Sequence, residues 1–423
     1  MFSKDHLENG IPVLMDYFDT VRSVSVGIWI KAGSRYEPLE KSGISHFLEH
    51  MFFKGTAKRT TRDIAVEIDS MGGDLNAFTS RENTAFYIKI IDEYIDKGIE
   101  LLSDIFVHSI FPEDEIEKEK KIVKEELKIV EDTPDDYIFD LFNRNIWGQD
   151  ALGRSILGKR DTIVSFTRDD LLAHIRRYYG TRDIIISCAG NFRPASIMKT
   201  LNRRFGGLRR GSEPKIGDPP VFQYAAKVYH RELSEAHLCV GVPSLPMNSE
   251  ERYTLFALNT ILGAGVSSRL FQEIRENRGL AYSVFSFTSA YRDTGIFGAY
   301  AGISKKRVRE VAELIIAEMM KLKDTVTPAE LERAKQQLKG NLILGLESTG
   351  SRMNNIARQE IYFDRYISAD ETMESINMVN VDQVSGLAER LIREDAFSFV
   401  ALGPLQKDIF NGIVRQKPKK ADE

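Results

Sequence analysis

Cysteine is scarce: two residues, Cys188 and Cys239, in a chain of 423. Each sits inside an apolar stretch and neither has a ligating neighbour at CxxC spacing. That argues against a disulfide-stapled secreted scaffold and against a thiolate zinc site, and points to buried thiols in a reducing compartment. Long apolar runs are missing too. No stretch approaches the roughly 18 residues of a membrane-spanning helix, so no membrane partner is expected. Positive charge shows no excess: 58 Lys and Arg stand against 62 Asp and Glu, a net charge of −4. No basic field therefore advertises nucleic acid or an anionic lipid surface. The segment Met1 to Gly10 lacks a basic n-region followed by an apolar core, and it is not Arg-rich, so the cytoplasm is the expected compartment. What is present is ordinary globular material, 42% hydrophobic, 28% charged and 10% aromatic, long enough for two or three domains.

The chain divides near its middle. Gly206 to Pro220 holds four glycines and three prolines with no apolar period, which reads as a linker between residues 1–210 and 211–423. Equal halves invite a search for a repeat. Glu67-Ile68 leading through Gly73 to Phe78 is echoed by Glu273-Ile274 leading through Gly279 to Phe285, an offset of 206. Asp114 to Lys118 and Leu127 are echoed by Ala329 to Arg333 and Leu342, an offset of 215. Period-two runs predict strands over Ile11–Tyr17, Ser23–Lys31, Thr84–Ile91, Asp183–Ala189, His237–Val242, Gly295–Ile303 and Ala396–Leu402. Helical periodicity predicts helices over Asp92–Val107, Glu113–Glu131, Arg168–Tyr179, Glu250–Leu262, Arg307–Leu322, Pro328–Leu346 and Val381–Ile392. The implied fold is α+β: two homologous halves, each a mostly antiparallel sheet with helices packed on one face. The tail Gln416–Glu423 reads as a frayed end.

One segment carries chemistry. In Ser42 to Phe53, the residues Ile44, Phe47, Leu48, Met51 and Phe52 form one apolar helical stripe, with Ser42 or Ser45 expected to cap its start. His46, Glu49 and His50 then share the other face. Imidazoles at i and i+4 are one turn apart and suit two ligands on one tetrahedral zinc ion. Glu49 beside them is placed to take a proton from water. With seven histidines in the chain, chance supplies such a triplet about 0.02 times.

A catalytic zinc site needs a third protein ligand and keeps one position open. The acidic helix Glu113–Glu131 offers Glu119, Glu125 and Glu126, with Ile116, Lys120, Val123, Leu127 and Val130 marking the side expected to face the core. Periodicity alone does not choose among the three acids. In the second half, Gly263-Ala264-Gly265 lacks the lysine and the spacing of a phosphate loop and reads as a helix–helix turn.

His46-Phe47-Leu48-Glu49-His50, continued by Met51-Phe52-Phe53-Lys54-Gly55-Thr56, resembles the inverted zinc motif of the pitrilysin/insulinase family of metallopeptidases, in its short bacterial members and mitochondrial-processing-peptidase-like branch. Gly72 to Ser80, Lys124 to Leu127 and Arg275 to Ser283 are similar to further stretches of that family, so the likeness runs through nearly the whole chain. The resemblance implies one zinc ion per chain on His46, His50 and Glu126, with Glu49 as general base and Glu119 as an acid that assists catalysis. It implies an extended peptide lying against the strand that carries Asn76, Ala77 and Phe78, with Arg275 and Tyr282 contacting it from the second half. The implied activity is a zinc-dependent endopeptidase acting on unfolded peptides or presequence-like segments through a zinc-polarised water activated by Glu49, in a homodimer. The alternatives are a subunit that needs a second, glycine-loop subunit, and a non-catalytic structural member of the same fold. By the internal offset, Glu119 and Glu126 correspond to Ala334 and Asn341, so the second half is expected to be a copy without ligands. Cleavage preference and physiological substrate are not encoded in any motif.

Overall fold

The computed structural model describes residues 1–211 and 217–413. The centre of the linker, residues 212–216, and the tail Gln416–Glu423 lie outside the described residues. Strands β1 (Phe2–His6), β2 (Pro12–Tyr17), β3 (Ser23–Ile30), β4 (Asp74–Thr79), β5 (Thr84–Ile91) and β6 (Ile184–Gly190) build one sheet, in the order β1-β2-β6-β3-β5-β4. Strands β7 (Ala226–His230), β8 (Ala236–Ser244), β9 (Ala281–Ala290), β10 (Gly295–Ile303) and β11 (Ser398–Gly403) build a second, in the order β7-β11-β8-β10-β9. Helices α1 (Ile44–Met51), α2 (Thr61–Ser70), α3 (Ile95–His108), α4 (Glu113–Glu131), α5 (Pro134–Trp147), α6 (Arg160–Ser165), α7 (Arg168–Tyr178) and α8 (Pro194–Phe205) precede β7. Helices α9 (Arg252–Gly263), α10 (Val308–Lys321), α11 (Pro328–Gly345), α12 (Thr349–Phe363), α13 (Ala369–Met378) and α14 (Val381–Leu391) follow β8.

The internal repeat is visible in the pairing. Stepping from β2 through β6, β3 and β5 to β4, the pairs run parallel, antiparallel, antiparallel, antiparallel. Stepping from β7 through β11, β8 and β10 to β9 gives the same sequence of senses. Each half is thus the mostly antiparallel sheet expected, and the predicted bounds of β5 and β10 are met at both ends.

The compact units are discontinuous in sequence. Unit 1 comprises Met1–Ile129, Arg154–Asp218 and Leu344–Tyr366, and unit 2 comprises Val130–Gly153, Pro219–Ile343 and Ile367–Glu423. In unit 1 the period-two alternation of β3 sends Val24, Val26, Ile28 and Ile30 into a core shared with Phe47, Ile99 and Leu171. Trp29 faces the other way, with Leu14 and Ile185, against Ile356, Ala357 and Ile361 of α12. Ser25 on that face donates to Thr349 (2.9 Å). Gly27 has no side chain because a Cβ there would stand 2.9 Å from the Met353 sulfur. Unit 2 repeats the scheme. Its helical face joins Leu238 and Val240 to Leu255, Leu258, Val311, Ile315 and Leu387. The opposite face packs Cys239, Tyr300 and Val400 against Leu141, Phe142 and Trp147 of α5. Both thiols are buried and free.

Helices therefore crowd one face of each sheet, as expected, and a single further helix covers the other. In each unit that single helix comes from the opposite side of the linker in sequence. Strands β1 and β7 are additions to the expected set: both are edge strands with mostly exposed residues, so no buried alternation marks them. Among the described residues no helix is long and apolar enough to cross a membrane.

His174 on α7 is buried beside Tyr178 (4.7 Å between ring centroids), with the Ser45 hydroxyl 3.4 Å from Nε2. Burial, aided by the Arg177 charge, pushes its pKa down to about 3. The folded chain then keeps this imidazole neutral where the unfolded chain, with a pKa of about 6.5, binds a proton. Its contribution to stability is complete above about pH 6.5 and falls as pH drops toward about 3, by up to about 1.4 kcal/mol per unit. In urea unfolding, His174→Leu is expected to flatten the stability–pH slope between about pH 6 and 4. An unchanged slope would contradict this assignment.

Candidate metal centre

α1 begins without the serine cap that the sequence suggests. Its N-cap is Gly43 at φ +93°, where a Cβ would meet the Leu157 carbonyl at 2.6 Å. The N–H groups at this helix start are satisfied instead by Glu37, whose carboxylate accepts from Gly43 (2.7 Å) and Ser45 (2.8 Å). A carboxylate arriving from a separate loop does the work of a local hydroxyl, and it suits the positive end of the helix. Burial nevertheless pushes the Glu37 carboxyl up to about 7, against those two hydrogen bonds and the Arg154 charge.

From this anchored start the apolar stripe Ile44, Phe47, Leu48, Met51 and Phe52 is driven into the core, each residue at most 2% exposed. Phe52 meets Phe86 and Phe111 edge-on and stacks on Phe106. That fixes the rotation of the helix and with it the face carrying His46 and His50, whose ring centroids are 4.6 Å apart.

Opposite them runs α4. Its buried residues are Ile116, Glu119 and Val123, so an acid occupies the core-facing stripe that sequence reading had assigned to apolar residues and a lysine stem. One turn further along the same stripe is Glu126, half-buried. Its Oε1 stands 3.6 Å from His46 Nε2 and its Oε2 stands 3.6 Å from His50 Nε2. These separations are too long for hydrogen bonds. They match the roughly 3.4 Å between ligand atoms that each lie about 2.1 Å from one tetrahedral ion. Donor atoms of His46, His50 and Glu126 all fall within 4.8 Å of one another, and among the described residues no other group of three such side chains does. Glu126 Oε2 is buried without a hydrogen-bond partner, a state suited to a cation. Two imidazoles and a carboxylate are zinc ligands by chemistry, so the residues fit that ion. Glu125, the alternative in the sequence, is instead exposed and paired with Lys128 (2.6 Å).

Glu119 serves a different atom. Its Oε1 lies 2.7 Å from His50 Nδ1 and its Oε2 lies 2.6 Å from Lys54 Nζ. A carboxylate on the far nitrogen of a ligating histidine fixes the tautomer and the ring orientation. Burial disfavours the ionised forms of both groups, but their mutual contact outweighs it. His50 is raised above its ordinary pKa by Glu119 and Glu126, and Glu119 is lowered by His50 and Lys54. The nearby His46 imidazole holds Glu126 below the usual carboxylate range despite partial burial. Glu49, on the same helix face, keeps Oε2 buried and without a hydrogen-bond partner.

The remaining residues named from sequence fall into two places. Asn76, Ala77 and Phe78 lie on β4, an edge strand of the first sheet. Ala77 points into the core with α1, whereas Phe78 packs edge-on against Trp29 (5.4 Å) on the α12 side. In unit 2, Arg275 lies in a π-helical turn, Phe271–Glu276, and its guanidinium rests over Phe271 (4.8 Å) and Tyr282 (5.3 Å). Tyr282 is 82% exposed at the start of β9. The position corresponding to Glu119, Ala334, is buried in the core of unit 2. Glu37 and Lys54 escaped sequence reading. Lys54 left a signal in its position four residues after His50, while the role of Glu37 depends on a loop that no local pattern ties to α1.

The Insulinase (Peptidase family M16) model matches residues 13–160, and the Peptidase M16 inactive domain model matches residues 165–338. An uncharacterized zinc protease of Bacillus subtilis is 41% identical over 396 residues, spanning 93% of this chain and 97% of that one. A second, from Streptomyces coelicolor, is 36% identical over 95% of this chain and 89% of its own length. Among solved structures, a protease from Helicobacter pylori superposes with a TM-score of 0.87 at 23% identity, covering 96% of this chain and 99% of that chain. A chain of complex III2 from Candida albicans gives 0.85 at 21%, covering 98% and 97%. At these identities the superpositions show the fold.

Two outcomes are expected. Glu37→Ala leaves buried N–H groups of α1 without an acceptor and should lower stability by about 2 kcal/mol in denaturant unfolding; an unchanged midpoint would contradict the capping role. Glu126→Gln should weaken zinc binding, followed by chelator competition, by more than tenfold (about 1.4 kcal/mol), whereas Glu125→Gln should leave it unchanged.

Proposed function

The chain belongs to the insulinase family of peptidases, M16, and from that premise we propose that it is a zinc-dependent endopeptidase acting on extended, unfolded peptides. The observation that carries this reading is the convergence of His46, His50 and Glu126 beside a Glu49 carboxylate oxygen that has no hydrogen-bond partner. His46, His50 and Glu126 would hold one zinc ion, which when bound supplies Lewis-acid polarisation of water and of a peptide carbonyl.

The protein's own groups do the rest. Glu49 accepts the proton that the attacking water loses and returns it to the departing amine nitrogen. Glu119 holds His50 by its Nδ1, so the ring does not swing away during turnover. The edge strand β4 offers its main chain to an extended peptide, a mode that tolerates many side chains and excludes folded substrates. Asn76 and Ala77 are assigned to that contact, and Phe78 supports it through Trp29 from the other face. Arg275 and Tyr282 are assigned to the substrate on the likeness of their motif to the family's second-half signature. Presequence-like segments are the substrate class this reading favours, and a homodimer is the assembly it expects. A non-catalytic member of the fold would have no need of a buried glutamate on a histidine, and the Glu119 pair weighs against that alternative.

Glu49→Gln tests the reading. The purified chain should hydrolyse an unfolded peptide only with zinc present, and Glu49→Gln should keep its metal while kcat falls about 10²–10⁴-fold. Equal turnover in the two proteins would overturn the base assignment. A wild type that binds zinc without turnover would favour dependence on a second subunit.

A further inference from the structure

We propose that Lys54 is a positioning residue of the metal centre: its ammonium fixes the Glu119 carboxylate against His50 Nδ1, and so fixes the direction in which His50 presents Nε2. The inference rests on the zinc reading above and goes beyond it, to a residue outside the ligand set.

Glu119 is a carboxylate with side-chain exposure of 2%, on the core-facing stripe of a helix. Alone, such a group would be costly. Here both oxygens are engaged, one by His50 (2.7 Å) and one by Lys54 (2.6 Å). Its surroundings are acidic, because Glu49 and Glu126 each act on His50 as further negative charges. Remove the lysine, and Glu119 is left with one engaged oxygen. Its side chain can then turn, and the imidazole it steers turns with it.

The backbone that carries Lys54 is built to hold it still. Phe53 and Lys54 donate back to the His50 and Met51 carbonyls (3.2 Å each), closing the end of α1. Gly55 follows at φ +120°, a conformation reserved for glycine. Thr56 N–H donates to Arg59 (2.8 Å), Ala57 N–H to His108 at the end of α3 (3.2 Å), and Ile110 N–H to Gly55 (3.3 Å). The Thr56 hydroxyl donates to Asp104 Oδ2 (2.7 Å), which Arg59 also meets (2.8 Å), while Arg59 grips Glu67 of α2 (2.6 Å). A solvent-exposed lysine on a mobile turn contributes little through an ion pair. With its turn clamped to α2 and α3 and its partner buried, Lys54 loses less freedom on pairing.

The test uses the full chain and reads zinc affinity by competition with a chromophoric chelator, independently of any hydrolysis. Lys54→Met should weaken zinc binding about tenfold, the lower end of what loss of an outer-shell partner costs. Lys54→Arg, which keeps the charge, should restore affinity to within about threefold of the wild type. The double variant Lys54→Met/Glu119→Gln should bind no more weakly than Glu119→Gln alone, because the lysine acts through the glutamate. Thermal unfolding of the zinc-free proteins checks that each variant folds, with Lys54→Gln replacing Lys54→Met should the latter fail. Wild-type affinity in the uncharged variant, or additive losses in the double variant, would overturn the proposal. A wild type that binds zinc but cleaves no peptide would overturn the reading of the chain as a peptidase active by itself and leave this inference standing, whereas a wild type that binds no zinc would overturn both.

Discussion

Three donor atoms drawn from two helices must converge within a few ångström, and the rest of unit 1 is arranged around that requirement. Two of them come from one turn of α1, where the i, i+4 spacing brings the imidazoles together without further help. The third comes from α4, 76 residues beyond His50, so its placement depends wholly on tertiary packing. The convergence also gathers charge, because Glu49, Glu119 and Glu126 all bear on the His50 imidazole. Such a cluster repels itself unless cations answer it. The histidines and Lys54 answer it from within the chain, and the proposed zinc ion would add to them.

Rigidity around the site is obtained from several directions at once. Glu37 fixes the start of α1 through its backbone, the aromatic contacts of Phe52 fix its rotation, and the clamped turn from Phe53 to Arg59 fixes its end. The scaffold of unit 2 repeats the strand pairing but substitutes Ala334 where unit 1 has Glu119. A buried alanine costs nothing electrostatically, so that position needs no lysine or histidine to answer it. The duplication thus has two different outcomes at one position of a shared topology: a charge-balanced carboxylate in unit 1 and a buried alanine in unit 2.

Much of this was legible in the sequence. The stripe of α1 fixes which face holds His46 and His50, since a helix cannot bury Phe47 and Leu48 without turning the histidines away from them. Thr84–Ile91 and Gly295–Ile303 are legible from end to end because these strands run inside their sheets, where burial on both faces keeps the run apolar. Other features could not be read. β1 and β7 are edge strands without buried alternation. The apolar stripe of α12 is interrupted by Gln359 and Glu360, both buried, and nothing in a local period says that α12 crosses to the sheet of unit 1. Glu119 stood out as a candidate acid, by its helix and by family likeness, but its burial could not be read, because that depends on His50 and Lys54, which lie far away in sequence. The choice between Glu125 and Glu126 rested on family likeness, and the structure supplies the physical reason: one faces His46 and His50 and the other faces solvent with Lys128.

The role of each of these residues depends on where a metal sits. Anomalous diffraction at the zinc absorption edge, from crystals grown with zinc, tests it most directly. The expected result is one strong peak per chain within about 2.2 Å of His46 Nε2, His50 Nε2 and a Glu126 oxygen, with Glu119 still on His50 Nδ1. A peak held by Glu119 or Glu125 in place of Glu126, or no peak at these residues, would contradict it.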